Sequence, residues 1–265
     1  METILYIHGM GGGADSRIPS ILNDWFAENR PEVRVVVRTY DFNPDRAVGQ
    51  IAAWYEELQP ALVIGESLGA NHALALYDRR SPGSGAPALH GGGASDPFGG
   101  MPARSAGAPL PPLLLVSPAL NAPRFLYALR CAVRIPAVHR WLNRIYKPRE
   151  GDRQALDFSP ETLTAWGAFR HYGRPAAPGR RGCEGAKDPS LRGMLLRTHG
   201  DLAPNPSAVH AFFGRRDHYR RTGVVSLNAW RRRFGPGTWT LYDGTHYMEE
   251  EHLKALLIPA ILQRL

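Results

Sequence analysis

The run Ala61 to Ile64 is apolar at every position, stops at Gly65, and has a counterpart in Leu113 to Val116. A strand with one face in water alternates apolar and polar residues. A strand apolar throughout is covered on both faces, as in the middle of a parallel sheet. Parallel neighbours must be joined by crossovers, and helices are the usual crossovers. The chain supplies them in alternation. Thr3 to Ile7 and Val33 to Thr39 read as the first two strands, Ala61 to Ile64 and Leu113 to Val116 as the next two, and Val209 to Phe213 and Trp239 to Tyr242 as the last two. Helical spacing appears at Ile18 to Asn29, Asp45 to Leu58, Ser67 to Tyr77, Val225 to Phe234 and Met248 to Ile258, with Pro259 as a stop or kink. The expected fold class is α/β: a mostly parallel sheet of about six strands flanked by helices.

Two stretches interrupt the alternation. Residues 81–112 are Ser, Pro, Gly or Ala at 25 of 32 positions, a composition with little to bury, so a surface loop is expected. Residues 119–206 begin with amphipathic patterns at Pro123 to Val133, Pro136 to Tyr146 and Pro160 to Tyr172, then turn rich in Gly, Pro and Arg from 173 onward. Ligands of parallel sheets bind where the strands' carboxyl ends point. The first stretch returns from a helix to a strand and falls on the opposite edge. The second leaves a strand and falls over the ligand edge, as a helical lid. One domain results, with core 1–80, 112–118 and 207–265, loop 81–111 and lid insertion 119–206.

Charge narrows the partners less than its size suggests. The net charge is +8, but 29 of the 32 basic residues are arginine, beside 28 Gly and 23 Pro. That bias reads as compositional drift. Arg215-Arg216 and Arg231-Arg232-Arg233 have no interleaved aromatics for stacking bases, so a nucleic-acid partner is not expected. A 43% hydrophobic content excludes wholesale disorder, and no apolar run approaches the roughly 18 residues of a membrane span. Cys131 and Cys183 lie too far apart for a disulfide framework or a metal-binding pair, and Met1-Glu2-Thr3-Ile4 has no basic leader. A reducing, cytoplasmic setting is the expectation.

The chemistry is carried by Gly65-Glu66-Ser67-Leu68-Gly69, the one G-x-S-x-G in the chain. Composition alone would produce roughly 0.1 such matches in this length, and the strand before and helix after raise its specificity. A serine in a tight strand-to-helix turn needs small residues two places either side. The turn projects its Oγ beyond the sheet, above a helix N-terminus that favours developing negative charge. The bland alternative is a tight turn with a capping serine. A nucleophilic serine needs a base, and the base an orienting acid. His246 directly follows the sixth strand, and Asp217 follows the fifth by four residues, so both reach the edge that carries Ser67. Asp243 is a second candidate acid, His218 a rival base, and His72 on the nucleophile helix reads as a packed or surface residue. An oxyanion hole requires two N–H donors. Leu68, after the serine, supplies one, and Met10 in the turn His8-Gly9-Met10-Gly11 the other. The same turn fits G-x-G-x-x-G poorly, since position 14 is Ala, so a phosphate cradle is the lesser reading.

Together, Tyr6-Ile7-His8-Gly9, the Ser67 motif, Phe213-Gly214-Arg215-Arg216-Asp217 and Gly244-Thr245-His246 resemble the α/β-hydrolase superfamily. The early glycine turn and Val116-Ser117-Pro118-Ala119 look similar to its small bacterial YqiA-like esterases. The resemblance covers about residues 1–80, 112–130 and 207–265, and departs in the two inserts. It implies a serine hydrolase acting on a small-molecule ester or thioester without metal or organic cofactor. Ser67 would be the nucleophile, His246 the base, Asp217 the acid, and Met10 and Leu68 the oxyanion donors. Phe125, Tyr127, Trp141 and Trp166 in the insertion suggest a partly apolar substrate or a packed core. A catalytically silent scaffold, or a peptidase or thioesterase with the same residues, shares every one of these features.

Overall fold

A computed structural model describes residues 1–80, 110–146, 152–169 and 208–265. Six strands form one sheet: β1 (Glu2–Ile7), β2 (Val33–Val37), β3 (Leu62–Glu66), β4 (Leu113–Val116), β5 (Val209–Gly214) and β6 (Trp239–Tyr242). Their order is β2-β1-β3-β4-β5-β6, and every neighbouring pair is parallel. The chain steps outward from β1 to β2, then crosses back to β3 and runs the other way. The direction reverses between β1 and β3, and a crevice opens at that reversal on the carboxyl side.

Side chains alternate between two cores, as the two-residue period of a strand requires. Ile4, Tyr6, Ile64 and Val116 face helix α1 (Arg17–Asn29), through Ile18, Leu22 and Phe26, and the C-terminal helical segments, through Leu253, Leu257 and Ile261. Leu5, Ile7, Val63 and Leu115 face α2 (Pro44–Leu58) and α3 (Gly69–Arg80), joined by Trp230 of the helix Leu227–Phe234. Sandwiched this way, β1, β3 and β4 are buried at nearly every position, which is what their unbroken apolar runs imply.

The element boundaries differ from expectation for identifiable reasons. β3 runs on through Gly65 and Glu66, because these pair with Leu115 and Val116 of β4. The helix after it starts at Gly69 rather than Ser67, since Ser67 has φ 49°, a left-handed conformation no α-helix contains. The last helix begins at Glu250 and does not stop at Pro259. A π-helical turn, Leu253–Leu257, precedes a final segment, Ile258–Leu262, that carries Pro259 in its first turn. The π turn widens the helical ladder just before Pro259, so the helix continues past a residue that has no N–H.

Of the insertion, five helical pieces are described: α4 (Ala122–Leu129), a 3₁₀ turn at Ala132–Arg134, α5 (Pro136–Ile145), α6 (Pro160–Ala165) and a 3₁₀ turn at Trp166–Phe169. They pack on α2 and α3 through Leu163, Trp166 and Phe169, with Trp166 fully buried beside Phe42 and His72. The expected loop 81–111, the Gly/Pro/Arg-rich 173–206 and the end of the 160–172 pattern lie almost entirely outside the described residues.

Candidate active site

Ser67 sits at the β1/β3 reversal, on the turn between β3 and α3. Its backbone is held from both sides: its N–H donates to Val116 O at 2.8 Å, and its carbonyl accepts from Ala119 N at 3.0 Å. The flanking glycines are sterically required. A Cβ on Gly65 would lie 2.9 Å from Ala70 Cα, and one on Gly69 would lie 2.3 Å from Ile7 O and 2.4 Å from His8 O. Only hydrogen at those positions lets α3 and the β1 turn close around the serine. Asn71 ties the assembly to the start of the insertion, donating from Nδ2 to Leu68 O at 3.3 Å and Ala119 O at 3.1 Å.

Three of the expected residues meet here. His246 Nδ1 lies 2.8 Å from Asp217 Oδ2, and His246 Nε2 lies 2.9 Å from Ser67 Oγ. A carboxylate can only accept, so Nδ1 carries the ring proton and Nε2 accepts from the serine hydroxyl. Asp217 and His246 are both buried. The second Asp217 oxygen accepts from Tyr219 N at 2.7 Å, where Asp217 caps the short helix His218–Arg221. The carboxylate is thereby fixed at both oxygens. Hydroxyl, imidazole and carboxylate in this sequence allow the imidazole to take the hydroxyl proton while the carboxylate steadies the resulting charge.

The rival residues are elsewhere. Asp243 is exposed and its carboxylate faces the Arg216 guanidinium at 3.3 Å. The His218 ring is exposed, 6.2 Å from the His246 ring. His72 is buried against Tyr40, Trp166 and Phe169, and its imidazole is pushed down to about 3 by burial first and then by His8. It is a packed residue.

The β1 turn brings His8, Gly9 and Met10 beside Ser67. A Cβ on Gly9 would lie 3.2 Å from Ser67 Cβ, so the two turns touch. Gly11 N donates to Gln154 Oε1 at 3.0 Å and Gly12 N to Gly9 O at 3.1 Å. Among the described residues, the N–H groups of Met10 and Leu68 find no acceptor. His8 is buried and stacked on Tyr40, whose hydroxyl donates to His8 O at 2.6 Å. Burial pushes the His8 imidazole down to about 4, so it stands neutral, with Nδ1–H donating to Gly9 O at 2.7 Å.

Several supports escaped the sequence reading. Gln154 of the insertion bridges Gly11 N and, from Nε2, Tyr40 O at 3.1 Å. Behind His246, the Glu249 carboxylate accepts from Thr245 N at 3.1 and 3.2 Å. Burial alone would raise that carboxyl, but the hydrogen bonds to it outweigh burial and hold it below the ordinary range. The four-residue spacing of Glu249 from Thr245 was the available signal. Arg17 Nη2 donates to Met248 O at 2.7 Å and also to Tyr247 O, pinning the same loop to α1. A Cβ on Gly214 would lie 2.2 Å from Thr245 O, so glycine there lets the loops that carry Asp217 and His246 touch. Among the described residues, no group of three or more His, Cys, Asp or Glu could hold a metal ion.

With this geometry in view, the comparisons define the class of fold. A monoacylglycerol lipase from Paleococcus ferrophilus is similar over 98% of this chain and 92% of its own, with a TM-score of 0.52 and 14% identity. A protein of Agrobacterium vitis S4 assigned as a hydrolase is similar over 100% of this chain and 88% of its own, with a TM-score of 0.53 and 13% identity. The chain has the α/β-hydrolase fold. No protein-family model and no curated protein matches it. Among the described residues, no helix is long and apolar enough to cross a membrane.

Proposed function

We propose that this protein is a serine hydrolase that cleaves a carboxylic ester or thioester through an acyl-enzyme. The observation that carries the reading is the hydrogen-bonded series Ser67 Oγ, His246 Nε2, His246 Nδ1 and Asp217 Oδ2 beside two unengaged backbone donors. The assignment of both similar structures as hydrolases supports the reaction class.

In this reading, His246 accepts the Ser67 proton as Oγ attacks the substrate carbonyl. Asp217 holds the imidazole tautomer and stabilises the imidazolium. Met10 and Leu68 N–H donate to the oxyanion of the tetrahedral intermediate. His246 then gives its proton to the leaving alcohol or thiol, the acyl group stays on Ser67, and water activated by His246 releases the acid. The described part of 119–206 stands beside the oxyanion turn through Gln154.

The test is reaction with a fluorophosphonate probe, read by intact mass, on native protein and Ser67→Ala. One adduct on the native protein and none on Ser67→Ala is expected, with no fall in melting temperature. The same substitution should abolish turnover of an activated short-chain ester. An unlabelled but folded native protein would favour the silent scaffold.

A further inference from the structure

The insertion carries a surface that the site chemistry does not use. Phe125, Ile135, Trp141 and Ile145 are each more than half exposed, on α4, α5 and the residue joining them to the 3₁₀ turn Ala132–Arg134. On α5 the pattern is ordered. Leu142 is buried and Val138 packs on the core, while Trp141 and Ile145, four residues apart, form an exposed apolar row along the flank of that packed face. Arg140 and Arg144, again four apart, form the next row outward, and both are exposed.

The charges on this surface have one sign. Arg124, Arg130, Arg134, Arg140 and Arg144 fall between Leu110 and Tyr146, a stretch with no Asp or Glu. With 24 acidic residues in 265, about three would be expected in such a stretch. Among the described residues, Arg124, Arg134, Arg140 and Arg144 have no carboxylate partner. Compositional drift accounts for many arginines, but not for missing acids or for large apolar side chains left in water beside them.

We propose that α4 and α5 form a docking surface for an anionic lipid bilayer. Trp141 and Ile145 would enter the boundary between headgroups and acyl chains, and the arginines would meet anionic headgroups. A second copy of the chain fits the face poorly, because it would bring two sets of unpaired arginines together. The surface lies at the catalytic edge: β4 leads through Ser117 and Ala119 into α4, and Ala119 N bonds to Ser67 O. Docking therefore turns the Ser67 edge toward the bilayer and toward acyl groups carried there.

Co-sedimentation with phosphatidylcholine vesicles, with and without phosphatidylglycerol, tests this. It should be done on the full chain carrying Ser67→Ala, so that the result does not depend on the proposed reaction. Partitioning onto the anionic vesicles only, weakened by added salt, is expected. Arg140→Ala/Arg144→Ala should lower it roughly 25-fold, at about fivefold per arginine. Trp141→Ala/Ile145→Ala should lower it at least about tenfold. Both pairs on the native Ser67 background should retain turnover of a soluble short-chain ester, which also shows they fold. Absence of binding to either vesicle would overturn the proposal, as would equal binding to both or undiminished binding by the double variants. Self-association that the Trp141 and Ile145 changes abolish, without vesicle binding, would also overturn it and mark an interface between copies.

Discussion

Asp217 and Asp243 both follow carboxyl ends of strands, and what separates them is where their oxygens go. Asp217 engages His246 and the Tyr219 N–H and is buried, whereas Asp243 meets a guanidinium in water. Asp217→Asn should cut ester turnover by about 10⁴-fold, because the amide no longer holds the required tautomer. Asp243→Asn should stay within about twofold, since an exposed ion pair contributes little. Steady-state kinetics on the two variants side by side decides. Gly69 makes a second prediction of a different kind. A methyl there would press on two backbone carbonyls of β1 and its turn, neither of which can swing aside. Gly69→Ala should lower the melting temperature and ester turnover together, whereas Gly49→Ala, which meets nothing within 4 Å, should do neither. That Ser67, Asp217 and His246 meet was legible in the sequence because each stands next to a strand end. Gln154 and Tyr40 were not legible, because their bonds to the turn after β1 join residues 143 and 32 positions apart and leave no local pattern.

At the scale of elements, α2 shows how closely chain chemistry and local structure can agree. Asn43 accepts from Asp45 N at 3.0 Å, Pro44 occupies the first turn, and Ala47, Val48, Ile51 and Tyr55 form the buried stripe. Asn43→Ala should cost about 1 kcal/mol in denaturant unfolding while leaving kcat unchanged. The six strands were readable for a related reason. Covered on both faces, the central ones must be apolar throughout, and parallel pairing then follows from their alternation with helices. The C-terminal helix was misread at both ends. Met248 has φ 45°, a conformation that glycine or asparagine would have advertised and methionine conceals. Pro259 looks like a terminator unless the π turn before it is known.

For the molecule as a whole, two buried imidazoles set a response to acid. His72 and His8 are neutral, held down to about 3 and about 4 chiefly by burial. In the unfolded chain both would titrate near 6.5, so between there and the folded values the unfolded state binds more protons. The stability they allow is complete above pH 6.5 and is lost as pH falls, by about 2 kcal/mol per histidine at pH 5. His72→Phe keeps the ring among Tyr40, Trp166 and Phe169 and removes two unpartnered nitrogens. Denaturant unfolding at pH 7 and pH 5 should show a smaller acid-induced drop for this variant than for the native protein. The strand order has a consequence of another sort, in time rather than energy. Ser67 follows β3 in the middle of the sheet, while Asp217 and His246 follow β5 and β6, the two outermost strands on one side. Ser67 and His246 are 179 residues apart. At about 5–20 residues per second, a ribosome exposes the serine turn roughly 10 to 35 seconds before the histidine that would activate it. A nascent chain therefore carries its elbow unarmed through most of its synthesis, and reactivity toward a serine-directed probe becomes a clock for the arrival of the final two strands.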